Sequence, residues 1–326
     1  MYENNKTGFI EGSQKTDFVF GVSSPLPNPV LQEQGNWLED KPDHEIQVSK
    51  YFDTYACTNF AGWDCIESLF TYYIDKGLIP VTHLIWLDQN GYIKDGKINF
   101  SERRSANFSD IVIGTGTYIY KACDAIIKHP LPQSDCEYTN NMTAEQFYSK
   151  DDFTEAMDKK EAEFKKRFQI NWYWADDPSE AIKSSPLMAT VRFDNGNGLL
   201  APEGSHNHCI MVHEILKGAW VINDSYQQEL KTYKDSHVKN FVGFSLIILN
   251  ENTMDIIKFL KDNDQCLIRN TDNGSYGVVL QGKLRVITPE RAGLFMVDRE
   301  ARGIIGKKKM VSINHDVWYI LPKSEF

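Results

Sequence analysis

The chain has 326 residues, 41% of them hydrophobic and 25% charged, which is ordinary for a globular protein with one large domain and a small one. Its formal net charge of −10 argues against nucleic acid or an anionic membrane as partner. No apolar stretch is long enough to span a bilayer, and the opening Met-Tyr-Glu-Asn-Asn-Lys lacks the basic-then-apolar pattern of a secretory signal.

Residues 1–45 are polar and turn-rich, with Ser23, Ser24, Pro25, Pro27 and Pro29 close together, and read as an extended arm. From Cys57 the apolar residues Phe60, Trp63, Ile66 and Phe70 recur at helical spacing up to a stop at Gly77. Cys57 therefore opens a helix. Ile111-Val112-Ile113 leads into a turn at Gly114-Thr115-Gly116, and a second helical pattern runs from Tyr118 to Ile127. The charged stretch 144–167 reads as an exposed helix. Trp172-Tyr173-Trp174 reads as a packed strand.

After Pro178 the texture is that of strands: 187–193, 209–212, 219–222 and 244–249. Lys217-Gly218 suits a hairpin turn between the second and third of these. Helices first and strands second predict an α+β protein with a helical half and an antiparallel β half. Beyond Glu251 the sequence predicts a short helix, Met254–Leu260, and strands around turns at Asp272-Asn273-Gly274 and Gln281-Gly282. This last part carries 12 Lys and Arg against 10 Asp and Glu, leaving 23 against 35 for the rest. The shift marks a boundary near residue 250, so the expected domains are 1–45, 46–250 and a small β-rich 251–326.

The chemistry lies in three residues that arrive in order. A thiol attacks a carbonyl only as thiolate, and the first turn of a helix favours negative charge, so Cys57 is expected to have a lowered pKa. His208 begins a strand and offers a base. Asp224 ends the next strand and offers the group that orients a histidine. Asn223 is its rival, which strand alternation disfavours. The six cysteines (57, 65, 123, 136, 209 and 266) form no C-x-x-C pair and suit a reducing compartment. His206, His208 and His213 invite a zinc reading, but His213 falls on the other strand face and no carboxylate or thiolate is spaced beside them. Neither a metal nor a cofactor is expected.

At these residues the chain resembles the papain-like cysteine peptidases. Cys57-Thr58-Asn59-Phe60-Ala61 is similar to the family's Cys-Trp-Ala-Phe-Ser helix opening. Asn207-His208-Cys209-Ile210-Met211-Val212 resembles its histidine strand, and Val221 to Tyr226 resembles the strand ending in Asn-Ser-Trp. Asp224 then stands at the asparagine position, 16 residues after His208. Weaker likenesses cover Gly114-Thr115-Gly116 with the helix after it, and Ala181 to Met188. The resemblance implies a two-lobed fold over roughly residues 45–250 and a peptidase with Cys57, His208 and Asp224 as triad. It further implies Gln47 as oxyanion donor and Gly114 and Gly116 as substrate-cleft residues. Ala56, Thr58 and Tyr226 depart from the family's cysteine, tryptophan and tryptophan. The arm before Cys57 is shorter than a typical inhibitory pro-segment. Divergent chains of this kind look similar to phage-encoded proteins. The resulting expectation is a cytoplasmic or virion-associated protein acting on peptide or protein substrates, with other virion or host proteins as partners of the C-terminal domain. The alternatives are a non-catalytic virion component on the same scaffold, and a cell-wall amidase or acyl transferase using the same triad.

Overall fold

The computed structural model describes residues 29–194, 199–200, 206–234 and 238–249, together with five strand segments between 265 and 322. Most of the expected arm, the expected helix Met254–Leu260 and the expected turns at 272–274 and 281–282 lie outside the described residues. The chain divides into two compact units, one of residues 1–71 and 90–247, the other of Tyr72–Gln89 and Ile248–Phe326.

In the first unit, helix α1 (Cys57–Asp75) is the spine. Its residues in this unit are buried on every side, polar ones included, so it is a central helix rather than an amphipathic surface one. Each buried polar group then needs a partner. Asn59 donates to Ser105 and Ser109 (3.0 and 2.8 Å), Glu67 accepts from the Phe100 backbone N–H (2.7 Å), and Asp64 accepts from Asn223 (2.9 Å). The chain then passes through α2 (Val81–Gln89), which belongs to the second unit.

Back in the first unit, short α3 (Glu102–Ala106) is capped by the Ser101 hydroxyl, which accepts from the Arg104 N–H. Helix α4 (Ile119–Lys128) follows and ends just short of Pro130. The charged stretch expected as one helix is two, α5 (Ala144–Tyr148) and α6 (Glu155–Lys165). Thr143 caps the first with a reciprocal capping box and Thr154 caps the second. Nor is the stretch wholly exposed: Phe147, Glu161 and Phe164 are buried. Arg104 explains the buried acid, since its guanidinium donates to Glu161 (2.7 Å) and Asp158 (2.6 Å). Trp63 stacks on Phe100 at 4.3 Å, and Phe70, Phe164 and Phe168 extend that aromatic core toward the sheet.

The sheet comprises β1 (Phe168–Trp174), β2 (Leu187–Val191), β3 (His208–Leu216), β4 (Ala219–Asp224), β5 (Gln227–Lys234) and β6 (Val238–Ile248). Their order is β1-β6-β2-β3-β4-β5, and the ladders from β6 through β5 are antiparallel. The architecture is α+β, a helical region followed by an antiparallel sheet. The Trp172-Tyr173-Trp174 cluster is buried on β1, and Gly243 leaves room for the Tyr173 ring, which a Cβ there would meet at 2.4 Å.

One irregularity matters more than the rest. β3 and β4 join through Lys217-Gly218, with Gly218 at φ +78° and Leu216 opposite Ala219. The register slips between Val212 and Glu214, so His213 is an extra, bulged residue. Its carbonyl accepts the Trp37 backbone N–H at 3.0 Å, and the Trp37 indole donates to the Ile182 carbonyl at 2.7 Å. Burial, and then the Lys41 charge, hold the His213 ring down at about 4, so it is neutral at pH 7.

In the second unit the five described strands, β7 (Gln265–Asn270), β8 (Tyr276–Leu280), β9 (Lys283–Ile287), β10 (Lys309–Ile313) and β11 (Asp316–Pro322), form an antiparallel sheet of order β9-β8-β7-β11-β10. In this unit His83 on α2 contacts the Leu249 carbonyl through Nε2 at 2.8 Å.

Candidate active site

Asp224 and His208 meet. His208 Nε2 lies 3.0 Å from Asp224 Oδ1, and both side chains are fully buried. The bulge makes this possible. With Leu216 opposite Ala219, an unbroken ladder would set Val212 opposite Asn223 and turn Asn223 to the His208 face. The extra residue moves Val212 opposite Ile222, and Asp224 comes to the His208 face. Asn223 then points the other way, donating to Asp64 and contacting His44 Nδ1 at 2.9 Å.

Asp224 has two further partners. Oδ1 accepts the Tyr226 backbone N–H (3.0 Å), a local Asx-type turn, and Oδ2 accepts from Lys231 on β5 (3.0 Å). Burial by itself would raise the Asp224 pKa. The charge and hydrogen bond of His208, the Tyr226 N–H and Lys231 outweigh it and hold the carboxyl far below the usual range. Asp224 is therefore a stable anion beneath the imidazole. Its bond to Nε2 assigns that nitrogen the proton and leaves the lone pair of the neutral ring on Nδ1.

Cys57 is the first residue of α1. Its sulfur is hydrogen-bonded by the Cys209 backbone N–H, one residue beyond His208, and sits in the field of Asp53 and Asp224. The Tyr226 ring lies 4.9 Å from the His208 ring, and its phenol is electrostatically coupled to Cys57 as well. The thiol differs from expectation in one respect: it is 0% exposed, and its pKa is pushed well above the usual value. Burial is the main cause, and the neighbouring Cys209, Asp53 and Asp224 add to it. The Cys209 N–H opposes the rise but does not overcome it. In this state the sulfur holds its proton. Cys65, Cys123 and Cys209 are also buried free thiols, each raised chiefly by burial.

Gln47 is fully buried, and its amide is held at both ends. Nε2 donates to Asp53 Oδ1 (2.9 Å) and Oε1 accepts from the Ser225 hydroxyl (2.6 Å). Its backbone N–H donates to the Ser225 carbonyl at 2.9 Å. The segment beside Asp224 thus fastens the segment leading to Cys57. Gly114 and Gly116 form a tight turn, with φ +84° and +91°, closed by a bridge from Val112 to Gly116. Val112 and Ile113 are exposed there.

Two residues at this site were not singled out from the sequence. Lys231 reaches Asp224 from a third strand, and Asp53 ties Gln47 to Tyr226, whose hydroxyl donates to its second oxygen. An acidic residue four positions before the cysteine is the hint that was available for Asp53. Among the described residues no group of three or more His, Cys, Asp or Glu side chains is arranged to hold a metal, and no helix is long and apolar enough to cross a membrane.

No family model matches the chain, and no curated protein does. Among solved structures it is similar to the Amb a 11 cysteine protease of ragweed pollen in its proform, at 14% identity and a TM-score of 0.40, covering 71% of this chain and 69% of that one. It is similar also to a recombinant stem bromelain precursor, at 13% identity and a TM-score of 0.39, covering 67% and 70%. At such identities and scores neither likeness bears on activity.

Proposed function

We propose that this chain is a papain-like cysteine peptidase, hydrolysing amide bonds with Cys57 as nucleophile, His208 as base and Asp224 as the group that orients it. The observation that carries this reading is the buried His208–Asp224 pair, with the Cys57 sulfur against the Cys209 backbone at the mouth of α1. In the reaction the thiol proton passes to Nδ1 of His208 while sulfur attacks the substrate carbonyl carbon. The oxyanion that forms is met by the Cys57 backbone N–H and the Gln47 amide, donors of a kind worth about 3 kcal/mol each. Collapse breaks the C–N bond, the amine leaves with the proton from His208, and a thioester remains. Water, deprotonated by His208, attacks the thioester and releases acid and thiol. The Asp224 anion stabilises the imidazolium present between the two proton transfers. Gly114 and Gly116 are assigned to the substrate cleft, where their turn would let backbone approach backbone.

The test compares the intact protein with Cys57→Ala on casein and on peptidoglycan fragments, with thiol labelling read by mass spectrometry. Casein hydrolysis lost in Cys57→Ala supports the peptidase. Hydrolysis confined to peptidoglycan moves the same triad to a cell-wall amidase. Equal hydrolysis by both proteins overturns Cys57 as nucleophile. Because burial holds the thiol protonated, iodoacetamide should label Cys57 slowly at neutral pH and faster as pH rises.

A second reading rests on that same burial. A sulfur with no exposure suits a non-catalytic interaction protein that keeps the scaffold, such as a virion component. It predicts that Cys57→Ala keeps every binding function and that neither substrate is cleaved.

A further inference from the structure

The segment between Gln47 and Cys57 folds back on itself. Val48 bridges Asp53, the Thr54 N–H reaches the Gln47 carbonyl at 3.4 Å, and the Tyr138 hydroxyl donates to the same carbonyl at 3.1 Å. At its centre Asp53 accepts three hydrogen bonds. Oδ1 takes the Gln47 amide and the Tyr55 backbone N–H, each at 2.9 Å, and Oδ2 takes the Tyr226 hydroxyl. Tyr55 has φ +54°, a left-handed conformation costly for a residue with a side chain, two positions before the nucleophile. The Asp53 bond to its N–H offsets part of that cost and directs the chain into α1.

We propose that Asp53 is a positioning residue of this site: its carboxylate orients the Gln47 amide and anchors the Tyr226 phenol around Cys57. The inference rests on the peptidase reading and adds a residue to it. An amide can face either way. Here Asp53 accepts from the nitrogen and Ser225 donates to the oxygen, so only one orientation satisfies both. The amide nitrogen keeps its second N–H for the substrate oxyanion. Tyr226, whose ring stacks obliquely near His208, is held by the same carboxylate. Asp53 also places a negative charge near the sulfur. Other groups that act on Cys57 include Asp224 at the end of β4, Tyr226 two residues on, Cys209 on β3, and Tyr148 on α5, whose hydroxyl donates to the Thr54 carbonyl. Orientation and charge therefore oppose each other: Asp53 aims the donor while discouraging the thiolate.

Two substitutions separate these effects. Asp53→Asn keeps an oxygen for Gln47 and Tyr55 and removes the charge. Its Cys57 labelling by iodoacetamide should shift to lower pH, several-fold faster at pH 8, with peptide hydrolysis retained within about tenfold. Asp53→Ala releases Gln47, and kcat/KM should fall by about 10²-fold, mostly in kcat. The Ala substitution in a Gln47→Ala background should then cost little more, because the two residues act as one unit. Wild-type kcat/KM in Asp53→Ala overturns the proposal, as do fully additive losses in the double variant. If Asp53→Ala fails to fold, the kcat/KM of Asp53→Asn decides, and a loss as large as that of Gln47→Ala, with the oxygen for Gln47 kept, overturns it. Wild-type protein without peptide hydrolysis overturns the peptidase reading itself, an outcome distinct from an Asp53 variant with unchanged turnover.

Discussion

Two sets of buried carboxyls in the first unit have opposite surroundings. At the end of β4 Asp224 has an imidazole, an ammonium and a backbone N–H around it, and stays ionised. Between α1, α3 and the 40s segment, Asp64, Glu67 and Glu102 sit with Glu45. Burial first, and then the charge of Glu45, pushes all three pKa values well up. Glu45 accepts from Asn99 (3.0 Å) and Gln133, and its closeness to Glu102 adds to the rise in the Glu102 pKa. Comparable burial thus leads to opposite pKa shifts, decided by whether a cation shares the site. An acid held in its ionised form lies where the proposed mechanism forms an imidazolium, and acids with raised pKa values lie where the helices pack.

The largest expected effect removes the ionised acid. Asp224→Ala should lower kcat/KM by roughly 10³-fold, since an unoriented imidazole presents the wrong tautomer; peptide hydrolysis assays measure it, and a loss under tenfold would break the comparison. Next comes a buried acid whose partner is taken away. Arg104 is 2% exposed at its side chain and pairs with Glu161, 5% exposed. Arg104→Met should cost about 3–5 kcal/mol in urea unfolding, because it takes the guanidinium from buried Glu161 and leaves only the His129 ring, 3.2 Å away, beside it. Unfolding at the wild-type midpoint would show that water reaches Glu161.

The third prediction concerns pH. A carboxyl with a raised folded pKa keeps its proton where the unfolded chain has lost it. Unfolding then releases protons, and stability falls as pH rises above about 4. Glu102→Gln removes one such group. Its melting temperature should match wild type near pH 4 and exceed it increasingly toward pH 8. A variant less stable at every pH would mean that the acids are ionised and held by something other than each other. Asp224 has the reverse sign, contributing stability above the unfolded carboxyl range that is lost as pH falls. The smallest effect is that of Lys231→Met, which leaves Asp224 to His208 and the Tyr226 N–H. The alkaline limb of the kcat/KM profile should move to higher pH with only a few-fold change at the optimum. An unmoved limb would show that Lys231 merely fills space.

Much of this was legible in the chain. Phe60, Trp63, Ile66 and Phe70 announced α1 because a buried helix must repeat its apolar contacts every three or four residues. The strands carrying His208 and Asp224 announced themselves by β-branched runs, and Lys217-Gly218 by its turn chemistry. The break within 144–167 was hidden because charge dominates the pattern, although Thr143 and Thr154 were usable cap signals. The thiol's raised pKa was not legible, since it depends on how completely other segments cover the sulfur.

Residue order by itself determined the elements and the succession of Cys57, His208 and Asp224 along them. What only the tertiary structure decided is which of Asn223 and Asp224 faces the imidazole. Alternation along β4 favoured Asp224, yet the register of an unbroken two-residue hairpin would set Asn223 opposite Val212 and turn it inward; the extra residue at His213 is what brings Asp224 to the His208 face. That bulge is held by the Trp37 N–H, donated from a segment more than a hundred residues earlier. A period-two strand reverses its faces when one residue is added, and no local pattern records where a distant backbone will supply the bond that stabilises the addition.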